Sequence, residues 1–259
     1  LMSEGFSYIA RAELPCVVIN VTRGGPGLGT IQPSQSDYFQ ATKGGAHGDF
    51  HLIVLAPNSV QEMHDFVFDA FDLAFKYRNP VMILSDGVIG QMMEKVVLAD
   101  QRPRRTAEEI IAQDGDWALT GKTADRKEHV ITSLELDPYA QERFNEKLIA
   151  KYAKIRENEV RYEEFMTEDA DYIIVAFGSA ARICRMTVEM AREAGYKVGL
   201  VRPITLYPFP SKVLHDLAAR GVKGFLSAEL NHGQMVEDVR LAVNGQAPVE
   251  HYGRSGGAV

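Results

Sequence analysis

The sequence has no long apolar run, few cysteines and no concentration of basic residues. No segment approaches the roughly 18 consecutive apolar residues that cross a bilayer. The chain does not open with the basic and apolar regions of a secretory signal peptide. These absences predict a protein that lacks a membrane span and is located in the cytoplasm.

The chain contains two cysteines, Cys16 and Cys184. They lie far apart in different predicted units, which favours two buried thiols over a disulfide or a metal site. An iron–sulfur cluster usually needs four thiolates, so none is expected in this chain. No group of His, Cys, Asp and Glu residues has metal-ligand spacing, and no metal-binding residue is predicted.

The net charge of −7 argues against a nucleic-acid partner, because phosphate binding depends on clustered Lys and Arg. The short basic run Arg102–Arg105 favours a solvated linker. The hydrophobic fraction of 46% and the charged fraction of 24% are those of ordinary globular proteins. The chain is long enough for two domains.

Apolar strands and helical segments alternate in two parts of the chain, which predicts an α/β fold with two parallel-sheet domains. The first part has strands at Leu14–Asn20, His51–Ala56 and Val81–Ser85, with a helix that starts at Pro57–Ser59 and ends near Tyr77. The second part has strands at Tyr172–Ala176, Val198–Val201 and Gly224–Ala228, with helices ending at Ala194, Arg220 and Val243.

Between these parts the composition changes, with a proline, a charged run and a helix predicted from Pro138 to Phe165. The apolar stripe of that helix favours packing against a domain or a partner over a cofactor site. The predicted division is a first domain at 1–93, a linker with a long helix at 94–168 and a second domain at 169–259.

A glycine-rich segment, VTRGGPGLGTIQPSQSD, follows the first predicted strand. Ligands of parallel sheets bind beyond the carboxyl ends of the strands. The segment lacks both the GxGxxG pattern and the Lys-Ser/Thr ending of a P-loop. It offers Arg23, whose planar donors match a carboxylate, beside Gly24 and Gly25. From the residues alone, carboxylate binding and a loop-bracing salt bridge are equally good interpretations.

The motif from Lys43 to Asp49 contains His47 and Asp49, which could form an acid–base pair. A surface histidine and a turn-stabilising aspartate are the commoner interpretation. No GxSxG pattern of a serine hydrolase occurs. The Gly-Asp-Gly pattern with a later Asn, which marks a thiamine diphosphate and Mg²⁺ site, is also absent.

Several segments, in the same order along the chain, closely resemble the α-type subunit of 2-oxoacid:ferredoxin oxidoreductases. They include INVTRGGPGLGTIQPSQSDYFQATKGGAHGD, LIVLAPNSVQEM, KYRNPVMILSDGVIGQMME, VRPITLYPFPSK and ELNHGQMVEDVRLAV. The resemblance covers essentially the whole chain and is nearest to the 2-ketoisovalerate type, with the 2-oxoglutarate type close behind.

The resemblance implies a thiamine diphosphate pyrimidine-binding domain followed by a domain similar to the C-terminal domain of transketolase. It implies that Arg23 holds the 2-oxoacid carboxylate and that Gly24, Gly25 and the stretch from Gln35 to Asp37 line the substrate pocket. Family members begin with a further segment that carries the cofactor-activating glutamate. We therefore expect an upstream segment and assign no catalytic residue to this chain.

The implied reaction is thiamine diphosphate-dependent, coenzyme A-linked oxidative decarboxylation of a 2-oxoacid. Mg²⁺ and the iron–sulfur clusters are expected on partners: a diphosphate-binding β-type subunit, a γ-type subunit and a ferredoxin-like subunit, with ferredoxin as acceptor. Homodimerisation within the complex is also expected. The alternatives are a 2-oxoglutarate enzyme, a transketolase or dehydrogenase β-type chain, and a non-catalytic α/β scaffold subunit.

Overall fold

The computed structural model describes residues 2–122 and 124–257. Leu1, in the predicted first domain, Thr123, in the predicted linker, and Ala258 and Val259, in the predicted second domain, lie outside the described residues. None of the described helices is both long and apolar enough to cross a membrane.

Helices and strands follow one another through both parts of the chain. The helices are α1 (Met2–Arg11), α2 (Tyr38–Thr42), α3 (Val60–Tyr77), α4 (Gly87–Gln91), α5 (Ala107–Asp114), α6 (Pro138–Asn158), α7 (Gly178–Glu193), α8 (Ser211–Ala219) and α9 (Met235–Val243). The strands are β1 (Cys16–Thr22), β2 (Ile53–Leu55), β3 (Pro80–Asp86), β4 (Tyr162–Phe165), β5 (Tyr172–Val175), β6 (Val198–Pro203), β7 (Thr205–Tyr207), β8 (Gly224–Glu229) and β9 (Val249–Gly253).

The first sheet has the strand order β1-β3-β2-β7. Strands β1, β3 and β2 are parallel, and Val17 lies opposite Val81 in their register. Every residue of β3 is buried, because helices cover both faces of this central strand and leave no polar side. Strand β7 pairs antiparallel with β2, although it lies beyond the second domain's first strands in the sequence.

The second sheet has the order β4-β6-β5-β8-β9, in which β4 alone is antiparallel to its neighbour. The α/β fold with two parallel-dominated sheets is therefore confirmed. The predicted domain limits stay a prediction. Strand β4 lies in the segment expected as linker, but it joins the second sheet. Strand β7 lies in the predicted second domain, but it joins the first sheet.

The helix predicted from Pro138 to Phe165 ends at Asn158, so the prediction is wrong for its last residues. Residues Tyr162–Phe165 form β4 because β6 offers an open edge that pairs with them. The Arg161 backbone N–H also donates to the Thr205 hydroxyl at 2.9 Å. Sheet pairing across the fold outweighs the local helical pattern here.

One hydrophobic cluster extends through both domains and includes Ile83 of β3, Ile155 of α6 and Phe177 before α7. The apolar stripe of α6 packs into it, as expected for a packing helix. Both cysteines are free, with Cys184 buried and Cys16 partly buried. The two sheets share a core, so the domains are held in one arrangement at their junction.

Candidate functional site

The carboxyl ends of β1 and β3 lie side by side, with Thr22 opposite Asp86. The glycine-rich segment leaves β1 at this edge, and α4 leaves β3 there. An open pocket of about 390 Å³ is lined by Gln32, Pro33, Gly87, Val88, Gln91, Met92 and Gly257. It occupies the position where parallel α/β sheets bind ligands, so we take this edge as the candidate site.

A larger cleft of about 690 Å³ lies near the amino end of β2 and includes His51, Arg156 and Tyr207. The His51 and Tyr207 rings stack with their centroids 4.2 Å apart. Burial, with the nearby Arg156 charge, lowers the pKa of His51. This cleft contains no residue of the glycine-rich segment and lies at the amino end of β2, away from the carboxyl ends of the parallel strands, so it is not the candidate site.

Residues 23–33 form a closed loop, which we call the glycine loop. Arg23 and Pro33 are bridged at its base. The Gly24 N–H donates to Gln32 O, and the Thr30 N–H donates to Gly24 O, each at 2.9 Å. A Cβ at Gly24 would collide with the Thr30 side chain. Glycine is needed here because the two sides of the loop approach each other closely.

Arg23 follows β1 directly, and its side chain is exposed. Its guanidinium donates to the carbonyl of Leu28 and, at 3.5 Å, to that of Thr30. No ion pair joins Arg23 to a carboxylate within residues 2–122 and 124–257. The loop is therefore braced through carbonyls and not by a salt bridge, and the guanidinium stays at the surface with further N–H donors.

Gln35 is 3% exposed and bonded to the second domain. Its backbone N–H donates to Leu230 O at 3.0 Å, and its Oε1 accepts the Leu230 N–H at 3.1 Å. Its Nε2 donates to Phe177 O at 2.8 Å, and its carbonyl accepts from Asn231 Nδ2 at 2.9 Å. The structure thus places this predicted pocket residue in the domain junction.

Asp37 is partly buried, and its Oδ2 accepts a hydrogen bond from Asn20 Nδ2 at 3.0 Å. Gly25 is exposed, with open space where a side chain would stand. The roles of Arg23, Gly24, Gly25 and Asp37 in substrate binding stay predictions.

Asp86 was missed by the sequence analysis. It is 2% exposed, and its Oδ1 accepts the N–H groups of Val88 at 2.9 Å and Ile89 at 3.3 Å. Its Oδ2 accepts the Ser179 hydroxyl at 2.6 Å, at the first turn of α7. The carboxylate therefore caps α4 and meets the positive end of α7. An aspartate followed by glycine after an apolar strand is a helix-start signal that could have revealed it.

A second cross-domain contact joins Tyr38 to Asp238 on α9, with the phenol donating at 2.5 Å. Lys43 pairs with the same carboxylate. Burial, together with the charges of Asp238 and Glu229, raises the pKa of Tyr38 well above its ordinary value. The phenol therefore keeps its proton and remains a donor across the junction.

His47 and Asp49 are both exposed in the loop before β2. The hydrogen bonds of the described residues include none between their side chains. The structure does not join them as an acid–base pair, and this interpretation stays a prediction without geometric support.

The resemblance implies that the first domain binds the aminopyrimidine ring of thiamine diphosphate. Such a ring needs apolar contacts and a carboxyl group as hydrogen-bond partner. Ile19 and Val21 are 51% and 47% exposed on the free edge strand β1 and supply apolar surface. Both carboxylates of this edge, Asp37 and Asp86, are already hydrogen-bonded. Asp86 is buried and bonded through both oxygens, whereas Asp37 is partly buried and bonded to Asn20 through Oδ2. The described residues thus fit one wall of a thiamine diphosphate site, and no chemical step is assigned to them.

Two family models match the chain. Residues 1–164 match "Pyruvate flavodoxin/ferredoxin oxidoreductase, thiamine diP-bdg", and residues 170–259 match "Pyruvate:ferredoxin oxidoreductase core domain II". The chain therefore belongs to the family of 2-oxoacid:ferredoxin oxidoreductases. The resemblance found in the sequence is confirmed.

The relatives specify the type of subunit. The chain is 50% identical to the ketoisovalerate oxidoreductase subunit VorB of Methanothermobacter marburgensis over 257 residues, covering 99% of this chain and 70% of VorB. It is 33% identical to the 2-oxoglutarate synthase subunit KorA of the same organism over 282 residues, covering 100% of this chain and 74% of KorA. It is an α-type subunit near the ketoisovalerate type.

The fold is also that of a solved structure, "2-oxoglutarate:ferredoxin oxidoreductase from Magnetococcus marinus with 2-oxoglutarate, coenzyme A and succinyl-CoA bound". The TM-score is 0.77 at 24% identity, and the match covers 99% of this chain. This chain spans about half of that one, 48% of its length. At this identity the likeness concerns the fold alone.

Proposed function

We propose that this chain is the α-type subunit of an oxidoreductase that oxidatively decarboxylates 2-ketoisovalerate to the acyl-coenzyme A with one carbon fewer. The acid loses CO₂ and two electrons, coenzyme A takes the acyl group, and two ferredoxins accept one electron each. Bound thiamine diphosphate supplies the decarboxylation chemistry. The higher identity to a ketoisovalerate subunit than to a 2-oxoglutarate subunit supports this substrate.

The observation that carries the proposal is the surface position of Arg23 at the carboxyl end of β1. Arg23 does not line the pocket formed by the glycine loop and α4, but its backbone is bridged to Pro33, which does. An exposed guanidinium at this edge has N–H donors that match the carboxylate of a 2-oxoacid. The glycine loop orients the Arg23 side chain, because the loop is closed by its own backbone hydrogen bonds.

The cofactor and the partners complete the proposal. The diphosphate end of thiamine diphosphate and Mg²⁺ would be held by a β-type subunit, and the iron–sulfur clusters by γ-type and ferredoxin-like subunits. Two observations support this division: the chain has two cysteines, and it lacks a Gly-Asp-Gly motif. Homodimerisation of the α-type chain within the complex is part of the same proposal.

Arg23→Ala in the assembled oxidoreductase tests the role of the guanidinium. A charged hydrogen bond is worth roughly 1.5–3 kcal/mol, so we expect kcat/KM for 2-ketoisovalerate to fall on the order of 10- to 150-fold, mainly through KM. Arg240→Ala on α9, also an exposed arginine, is the matched control and should leave kcat/KM unchanged.

Loop bracing and carboxylate binding can be separated with the amide of 2-ketoisovalerate, which lacks the acid group. If Arg23 binds the carboxylate, Arg23→Ala weakens binding of the acid and leaves that of the amide unchanged. Equal weakening of both ligands assigns Arg23 to the loop alone. Greater kcat/KM with 2-oxoglutarate than with 2-ketoisovalerate in the wild-type complex would replace the proposed substrate.

A further inference from the structure

The glycine loop is anchored at two ends. Arg23 continues β1, which is paired along its length with β3. At the other end, the chain leaves the loop at Pro33 and enters the domain junction at Ser34 and Gln35, both nearly fully buried. The position of the loop therefore depends on what holds this second end.

Gln35 makes four hydrogen bonds to the second domain at this second end. Its neighbours add two more: the Ser34 hydroxyl donates to Leu230 O at 3.2 Å, and Gln234 Nε2 donates to Ser36 O at 2.7 Å. The Gln35 backbone N–H and side-chain Oε1 satisfy both backbone groups of Leu230 at 3.0 and 3.1 Å. The other two bonds of Gln35 reach Phe177 and Asn231. One residue thus joins the loop to the segment that directly follows β8 and to the residue before α7, and we call this set of bonds the Gln35 clamp.

The surface that receives the clamp is itself fixed. The Glu229 carboxylate, just before Leu230, accepts the N–H groups of Met235 at 2.8 Å and Val236 at 2.9 Å at the start of α9. The Asn231 side chain accepts the Gly233 N–H at 2.7 Å. A clamp bound to a rigid partner transmits that rigidity to the loop.

We propose that Gln35 is a positioning residue that holds the glycine loop, and with it Arg23, against the second domain without contacting the substrate. The inference rests on the proposed function of Arg23. It replaces the expectation that Gln35 lines the pocket, because the amide is buried and has a protein partner at both its oxygen and its nitrogen.

Gln35→Glu gives a pH-dependent test. In Gln35→Glu the protonated carboxyl donates to Phe177 O as the amide does, whereas the ionised carboxylate presents only acceptors to that carbonyl. Burial and the nearby Asp86 carboxylate both favour the protonated form. Asp86 lies near the clamp, since a Cβ at Gly178 would be 3.0 Å from Gln35 Nε2 and 3.5 Å from Asp86 Oδ2. The other titratable groups of this region are Glu229, with His251 at 4.0 Å, and Asp238, with Tyr38 and Lys43. Asp37 follows two residues after Gln35 and is bonded to Asn20.

The measurement is KM and kcat of the assembled complex for 2-ketoisovalerate, expressed as ratios to wild type at pH 6 and pH 8.5. We expect a KM ratio near unity at pH 6 that rises about 10-fold by pH 8.5, with little change in kcat. Gln35→Leu, which cannot donate at any pH, should raise KM about 10-fold at both. Gln40→Glu, at an exposed glutamine on α2, is the matched control and should change neither.

Hydrogen exchange of the complex without substrate separates positioning from general destabilisation. In Gln35→Leu the amides of Gly24 and Thr30, which close the loop, should exchange at least about 10-fold faster, while those of β3 and β8 keep their wild-type rates. Faster exchange throughout both sheets, or no change in the loop, overturns the proposal. A pH-independent KM ratio in Gln35→Glu with a lowered kcat also overturns it and indicates substrate contact.

If the wild-type complex does not oxidise 2-ketoisovalerate, the proposed function fails. The exchange rates of the loop still decide the role of Gln35, because they need no substrate.

Discussion

Replacement of the Asp86 carboxylate tests the physical account of the domain junction. Asp86→Asn keeps the shape of the side chain and removes its charge. In the wild type, each of its oxygens accepts from a different domain: Oδ1 from the Val88 N–H at 2.9 Å and Oδ2 from the Ser179 hydroxyl at 2.6 Å. An amide retains one acceptor and turns a donor toward the other partner.

The size of the effect follows from these contacts. Hydrogen bonds to a charged group are worth roughly 1.5–3 kcal/mol and neutral ones about 0.5–1.5 kcal/mol, so weakening the two shorter bonds, from Val88 and Ser179, costs about 2 kcal/mol. Loss of the negative charge at the start of α7 adds about 0.3–1 kcal/mol. Relief of the burial of a charge offsets part of this. We expect the free energy of unfolding to fall by about 2 kcal/mol.

Equilibrium urea unfolding at pH 7, followed by far-ultraviolet circular dichroism, measures this change after reversibility has been checked. With an m-value of about 3 kcal/mol per molar urea, the midpoint should fall by about 0.7 M. Asp100→Asn, at an exposed aspartate in the predicted linker, is the control, and its free energy of unfolding should stay within about 0.5 kcal/mol of wild type. A change below about 0.5 kcal/mol for Asp86→Asn refutes the reasoning.

Two further predictions concern titratable groups away from the site. Burial raises the pKa of Glu13, but hydrogen bonds and charges from Lys147 and Lys151 outweigh burial and lower the pKa overall. The ionised Glu13 therefore stabilises the fold above about pH 4.5, and this stabilisation is lost as the pH falls through the lowered pKa. Glu13→Gln should lower the free energy of unfolding, measured by urea, by about 1 kcal/mol at pH 7, and by progressively less as the pH falls below about 4.5. A deficit that does not shrink with falling pH contradicts this. Burial raises the pKa of the Cys184 thiol to about 11, so iodoacetamide at pH 8 should alkylate it about 100-fold more slowly than in the urea-unfolded chain, with peptide mapping as the readout. The related stabilisation is present below about pH 9 and lost as the pH rises toward 11; equal alkylation rates in both states contradict the burial argument.

The fold was largely predictable because its signals are local. The short apolar run at Val81–Ser85 predicts a strand buried on both faces, and it is the fully buried β3. The start of α3 follows from Ser59, whose side chain accepts the Glu62 N–H as a helix cap. Arg23 was selected as a candidate for the same reason, since it directly follows a recognisable strand and parallel sheets bind ligands at that end. Its role in substrate binding stays a prediction.

The tertiary structure decided what depended on distant parts of the chain. Periodicity extended α6 to Phe165, but the open edge of β6 turned its last residues into β4. The family resemblance assigned Gln35 to the substrate pocket, and this stays a prediction. Its burial in the domain junction depends on Leu230 and Asn231, which lie nearly two hundred residues later in the chain. Residues so far apart in the sequence leave no local pattern that predicts their hydrogen bonds. Only the folded chain brings their donor and acceptor atoms to the distance of about 3 Å that a hydrogen bond requires.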